Sequence, residues 1–312
     1  GEVMEVFARA QTLLLDKTGT ITKGRPTVNQ IMLYNESTQD EVMHAVASLE
    51  SYVTHPLAAA ILDYAKEIHV DFHMENVQNI ELFPSQGVGG VIAGAKWMIG
   101  TKMLLAQHNV KIDDATVTQF IELSQIGNTV LFVAKSDKLA ALIIIADQLR
   151  PGIQTDIATL KKQGIKEVVM LTGDQNMTAK HIATLSGIDS YVAEMKPEDK
   201  ANQVRAFQRK NKVVMVGDGI NDAPALALAD VGIAMGNGGS DIAMETADIV
   251  LMGTSFKQLV HAYHLSKATM ANLYQNHAVA LFTVIVLLLG VVFGVVHLAI
   301  GMFVHEASVL LV

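Results

Sequence analysis

Leu13-Leu14-Leu15-Asp16-Lys17-Thr18-Gly19-Thr20 is an apolar run that ends on a carboxylate and a short polar turn. Residues 13–15 read as a strand buried on both faces, and Asp16 stands where such a strand gives way to a loop. The pattern returns twice. Residues 168–171 run into Thr172-Gly173-Asp174, and residues 213–216 run into Gly217-Asp218-Gly219-Ile220-Asn221-Asp222. Between these, residues 178–187 and 197–208 carry helical spacing, with Pro197 at a helix start. Strands alternating with helices predict an α/β fold with a doubly wound parallel sheet, whose ligands gather beyond the carboxyl ends of the strands. All three Asp-bearing loops fall at such ends.

A carboxylate held there can attack phosphorus. With a metal ion neutralising the incoming charge, Asp16 would form an aspartyl phosphate. A single Asp after a strand is ordinarily a cap or turn residue, but three converging loops outweigh that reading. Asp16 and Asp218 offer the hard oxygens that Mg²⁺ prefers. Lys196, in Lys196-Pro197-Glu198-Asp199-Lys200, offers a point charge for the transferring phosphoryl group, although a lysine at a helix start is more often solvated. No Gly-x-x-x-x-Gly-Lys-Ser/Thr pattern occurs, so Walker-type hydrolysis is not supported.

At 312 residues the chain exceeds two domains of roughly 150 residues each. A net charge of −8 supplies no basic face for nucleic acid. There is no cysteine, so a metal bound here must use oxygen or imidazole. Residues 27–146 interrupt the βα alternation with their own helices (40–49 and 56–68) and alternating strands (88–93, 129–135 and 139–145), and read as an inserted domain. The crossings near Pro26 and at residues 147–151 would form a paired hinge. The expected division is therefore 1–26 and 147–265 for one α/β domain, 27–146 for the insertion, and 266–312 for a membrane segment. Residues 278–296 contain no charge and as a helix would extend about 28 Å, the apolar thickness of a bilayer. Lys257 and Lys267 precede that run and place its near end in the cytoplasm. A second, truncated membrane helix is expected to carry His305, Glu306 and Ser308. Ionisable groups at that depth read as a transport site, and imidazole, carboxylate and hydroxyl suit zinc or cobalt better than copper(I). A start at Gly1 without a leader, and a stop in apolar sequence, are what a piece of a longer protein would show.

The stretches 16–20, 172–174 and 217–226 resemble the three signatures of P-type ATPases, in the family's order. The resemblance implies a phosphorylation domain of haloacid-dehalogenase type in which Asp16 is phosphorylated and Lys17, Gly173 and Asp174 belong to the catalytic loops. It further implies that Thr18, through its carbonyl, and Asp218 bind Mg²⁺, that Thr172, Lys196 and Asn221 hold the phosphate, and that Asp222 lies close to the metal. Glu50, His55-Pro56 and Gly87-Val88-Gly89 resemble the adenine-binding set of the heavy-metal subfamily, making the insertion an α+β nucleotide-binding domain. Glycines let backbone approach a nucleotide, and His55 can stack on the base or hydrogen-bond to it. Thr101 stands where that subfamily commonly has Asn. His305-Glu306-Ala307-Ser308 is similar to the His-Glu-Gly-Ser pattern of the cobalt/zinc branch. The implied protein uses ATP and Mg²⁺, moves a divalent metal and sits in a lipid bilayer, expected to be the plasma membrane, with its catalytic domains cytoplasmic. Two alternatives are a soluble Asp-dependent phosphatase, which would place a second acid where Thr18 stands, and a non-catalytic nucleotide- or metal-binding module.

Overall fold

The computed structural model describes residues 1–72, 77–218, 222–236, 245–253, 255–294, 301–304 and 306–307. Asn221, His305 and Ser308 lie outside the described residues. Helix α1 (Glu2–Arg9) leads into β1 (Thr12–Asp16), which is buried along its whole length. The chain then builds a second unit from β2 (Thr22–Leu33), α2 (Gln39–Glu50), α3 (Pro56–Glu67), β3 (Gln78–Phe83), β4 (Gly87–Ile92), β5 (Ala95–Gly100), α4 (Lys102–Gln107), α5 (Asp114–Gln125), β6 (Thr129–Lys135) and β7 (Lys138–Leu149). It returns through α6 (Ile153–Gln163), β8 (Glu167–Leu171), α7 (Asn176–Ser186), β9 (Ser190–Val192), α8 (Pro197–Gln208), β10 (Val213–Gly217), α9 (Ala223–Leu228), β11 (Val231–Gly236) and β12 (Ile249–Met252) to α10 (Lys257–Val292).

The first sheet has the order β12-β11-β10-β1-β8-β9, and each neighbouring pair is parallel. Side chains of β1 alternate between two covered faces. Leu13 and Leu15 pack with Val168, Met170, Val214 and Val216 against α6, α7 and the root of α10. Leu14 packs with Val169, Leu171, Val213 and Met215 against α8 and α9. Burial on both sides selects strands with no polar face, which is why these read as unbroken apolar runs.

The second sheet, β2-β7-β6-β5-β4-β3, is antiparallel throughout. Helices α2 and α3 cover one face through Val42, Val46, Leu49 and Ile61. The other face packs on α4 and α5, with Leu104 and Leu105 in its core. Thr38 Oγ1 accepts the Glu41 N–H and Asp113 Oδ1 the Thr116 N–H, so α2 and α5 start with orphan donors satisfied. The connection between the two units, expected as a paired hinge, is a two-stranded ribbon. Strands β2 and β7 pair across it, joining Pro26 to Asp147 and Thr22 to Leu149, with an irregularity between. The apolar alternation stops near Ile145, yet backbone pairing continues, because ladder hydrogen bonds need no apolar face.

Helix α10 is 36 residues long and begins well before the apolar run. Its first turns bury Leu259, Tyr263, Ser266 and Met270. Beyond residue 278 its apolar side chains lie open, with Phe282 69% and Val292 77% exposed. Among the described residues it is the one helix long and apolar enough to cross a membrane. Apolar surface on every side suits a hydrocarbon environment.

Candidate catalytic site

Strands β8, β1 and β10 are neighbours, so their three carboxyl-end loops meet. Asp16, 5% exposed, ends β1, and the turn after it brings Gly19, at φ +75°, against Asp218. A Cβ on Gly19 would lie 3.6 Å from that of Asp218. Buried Thr172 uses its Oγ1 to accept the Asp174 N–H at 3.1 Å, which fixes the turn after β8. Lys17 turns away from Asp16 and pairs with Asp174 at 2.7 Å, so the first two loops are tied together by charge. Thr18 is exposed at the mouth. Asp222, 1% exposed, stands at the N-cap position of α9 without a side-chain capping hydrogen bond, and Gly217 makes room for it, since a Cβ there would stand 2.5 Å from Asp222 Oδ2.

The lysine at this centre is Lys200, and the assignment to Lys196 is corrected. Lys200 Nζ donates to Asp16 Oδ1 and to Asp222 Oδ1, each at 2.6 Å, with its side chain only 10% exposed. Lys196 is exposed at the N-cap of α8, where its backbone N–H donates to Asp199 Oδ2 at 3.0 Å. Helical geometry explains the difference. Val204 is fully buried, and Lys200 stands one turn before it on the same inward face. The i, i+4 relation to Val204 was the signal available in the sequence.

Burial, then the charge of Asp222, pushes the Asp16 carboxyl up to about 6 against the opposing pull of Lys200. Burial likewise raises Asp222. For Lys200, burial is outweighed by the two carboxylates, and the ammonium is held above its ordinary value. Asp16 and Asp222 share Lys200 while the charge of Asp218 acts on both carboxyls, and Asp222 Oδ2 is buried without a hydrogen-bond partner. Among the described residues no three acidic or imidazole groups are gathered closely enough to hold a metal by themselves, so a hard cation such as Mg²⁺ would complete its shell here with backbone carbonyl, phosphate and water oxygens.

A second feature lies in the insertion. A cavity of about 580 Å³, of the size that takes a small organic ligand, is lined by Glu50, His55, Gly87, Thr101 and the start of β6 among others. His55 caps α3, its Nδ1 accepting the Leu57 N–H at 3.2 Å. A neutral ring so engaged carries its proton on Nε2, leaving a donor. Burial pushes the Glu50 carboxyl up to about 7. Gly87, at φ +152°, would place a Cβ 2.1 Å from Ile99 O, so backbone forms that wall. Thr101 Oγ1 accepts the Leu104 N–H and starts α4. Gly89 does not line the cavity. It is buried in the sheet two residues further along the same strand, where a Cβ would meet the Met98 side chain at 3.2 Å.

Residues 10–230 match the haloacid dehalogenase-like hydrolases. The chain is 40% identical over 275 residues to the copper-exporting P-type ATPase B of Archaeoglobus fulgidus, covering 87% of this chain and 39% of that protein. It is 38% identical over 311 residues to a zinc-transporting ATPase of Bacillus subtilis, covering 99% and 48% respectively. The crystal structure of a zinc-transporting PIB-type ATPase in its E2.Pi state superposes with a TM-score of 0.88 at 32% identity, over 99% of this chain and 50% of that one. The chain thus spans half or less of the length of these relatives. With three strand-end loops meeting at Asp16, and an antiparallel insertion bearing its own cavity, the chain belongs to the haloacid dehalogenase-like hydrolase family and corresponds to the catalytic portion of the heavy-metal P-type ATPases.

Proposed function

We propose that this chain transfers the γ-phosphoryl group of ATP to Asp16 and, within a complete pump, couples that transfer to movement of a heavy-metal ion across a membrane. The observation that carries this reading is Asp16 held with Asp222 by Lys200 at 2.6 Å, at the ends of adjacent parallel strands. Asp16 supplies the attacking oxygen. Lys200 orients that carboxylate and offers a fixed positive charge where the phosphoryl group arrives. Asp218 and Asp222, with the Thr18 carbonyl at the mouth, would hold Mg²⁺, which supplies further charge neutralisation when bound. Buried Thr172 fixes the turn after β8 by accepting the Asp174 N–H, and the Lys17–Asp174 pair ties that loop to the one after Asp16.

The adenine base belongs in the cavity of the insertion, with His55 Nε2–H as donor and Glu50 as the buried polar group facing it. Residues 27–146 serve as the nucleotide domain, flanked by the two segments 1–26 and 147–265 of the phosphorylation domain, and the apolar part of α10 lies in the plasma membrane. Zinc is the favoured cargo. The zinc-transporting relative matches 311 residues of this chain and so runs through His305-Glu306-Ala307-Ser308, whereas the copper-exporting one matches 275.

Incubation with γ-labelled ATP and Mg²⁺ should give an acid-stable label that Asp16→Asn abolishes and hydroxylamine removes. Label that survives in Asp16→Asn rules out the proposed acceptor.

A further inference from the structure

Among the described residues the two units also touch away from the β2/β7 ribbon. The turn after α5 carries Gly127, at φ +92°, against the first turn of α7. A Cβ at Gly127 would lie 2.4 Å from Thr178 Cγ2 and 3.3 Å from Thr178 Cβ. Rotating the threonine moves its methyl group but not its Cβ, so glycine is what permits this approach. Thr178 Oγ1 donates to Gln125 O at 3.4 Å across the same contact. Beside it lies a cavity of about 290 Å³, walled by Asn128 from the insertion and by Lys17 and His181 from the parallel-sheet unit.

Each side of this contact leads directly to a working part. Thr129, two residues beyond Gly127, opens the strand whose first three residues line the nucleotide cavity. Helix α7 starts two residues after Asp174, in the loop beside Asp16. The nucleotide cavity is lined wholly by residues of the insertion, and Asp16 is buried under Lys200, so the two places share no wall. Delivery of a phosphoryl group from one to the other requires the insertion to swing on its ribbon, and a swing parts Gly127 from Thr178.

We propose that Gly127 and Thr178 form a latch that holds the nucleotide cavity and the phosphoryl acceptor apart, and that nucleotide delivery releases it. The inference rests on the reading of Asp16 as acceptor. These are positioning residues, since neither touches the reacting atoms.

Because the chain has no cysteine, Gly127→Cys with Thr178→Cys introduces the sole thiols, and their Cβ separation is within a few tenths of an ångström of the roughly 3.5–4.5 Å that a disulfide spans. After oxidation with diamide, labelling from ATP should fall about a hundredfold, as misplacement of a donor predicts. Labelling from acetyl phosphate, which has no base for the insertion to hold, should be unchanged, and dithiothreitol should restore labelling from ATP. Thr178→Leu, which leaves Gly127 intact and wedges the contact open, should speed labelling from ATP and leave labelling from acetyl phosphate alone. The latch is overturned if the oxidised pair is labelled by ATP at the reduced rate, if the pair does not cross-link, or if Thr178→Leu behaves as wild type. A wild-type chain labelled by neither donor would instead overturn the acceptor role of Asp16.

Discussion

Replacing Lys200 by Met keeps most of the buried stem and removes the charge that two carboxylates share. Asp16 and Asp222 would then face each other across a site where Lys200 now stands 2.6 Å from each. Removing one partner of a buried ion pair costs about 3 to 5 kcal/mol, because the remaining charge has neither water nor counter-ion. The loss is moderated here because Asp16 already titrates at about 6 and can take up a proton, which places the expected destabilisation near the lower bound, about 3 kcal/mol. Loss of one fixed donor at a reacting oxyanion costs a further factor of about 10² to 10³ in rate. Lys196→Met, at an exposed helix start, should change stability by less than about 0.5 kcal/mol and leave the rate intact. Urea denaturation and the initial rate of acid-stable labelling from ATP, measured on both variants, separate the two lysines. Normal labelling in Lys200→Met, or its loss in Lys196→Met, would refute the assignment drawn from the geometry.

Two further outcomes follow from groups buried elsewhere. The Glu50 carboxyl titrates at about 7 when folded against an ordinary 4.5, so the folded chain holds a proton that the unfolded chain releases between those values. Stability should therefore fall by about 3 kcal/mol as pH rises through that window. Glu50→Gln should flatten this component in urea titrations at pH 5 and pH 8, and an equal drop in both proteins would remove Glu50 as its source. Arg150, 6% exposed, donates from Nε to Thr20 O at 2.8 Å and from its guanidinium to Gly19 O, tying the end of the ribbon to the turn after Asp16. Arg150→Ala should cost about 2 to 3 kcal/mol through stranded buried carbonyls and slow labelling of Asp16, whereas an unchanged melting temperature would show that water replaces the guanidinium.

The parallel sheet was legible because its central strands are covered on both faces and therefore carry no polar residue from Leu13 to Leu15 or from Val213 to Val216. Local chemistry also set the helix start at Pro197 and the strand over Thr129–Lys135. Less was legible in the insertion. The exposed edge strand β3 and the short helix α4 carry little periodicity, and β2 owes its pairing to β7 more than a hundred residues later. Lys196 and Lys200 look alike in a charged pentapeptide, and only the turn of α8 against the sheet sends one to water and the other to Asp16.

Sequence alone singled out the carboxylate proposed to react. A carboxylate at the end of an apolar strand, repeated in three loops, is a local statement about residue type and order, and it needs no knowledge of neighbours. Tertiary structure decided which charge compensates that carboxylate, which glycine faces the nucleotide cavity and where the insertion rests on the parallel-sheet unit. Those are distances between residues up to 184 positions apart, as between Asp16 and Lys200, and packing of the whole chain sets them.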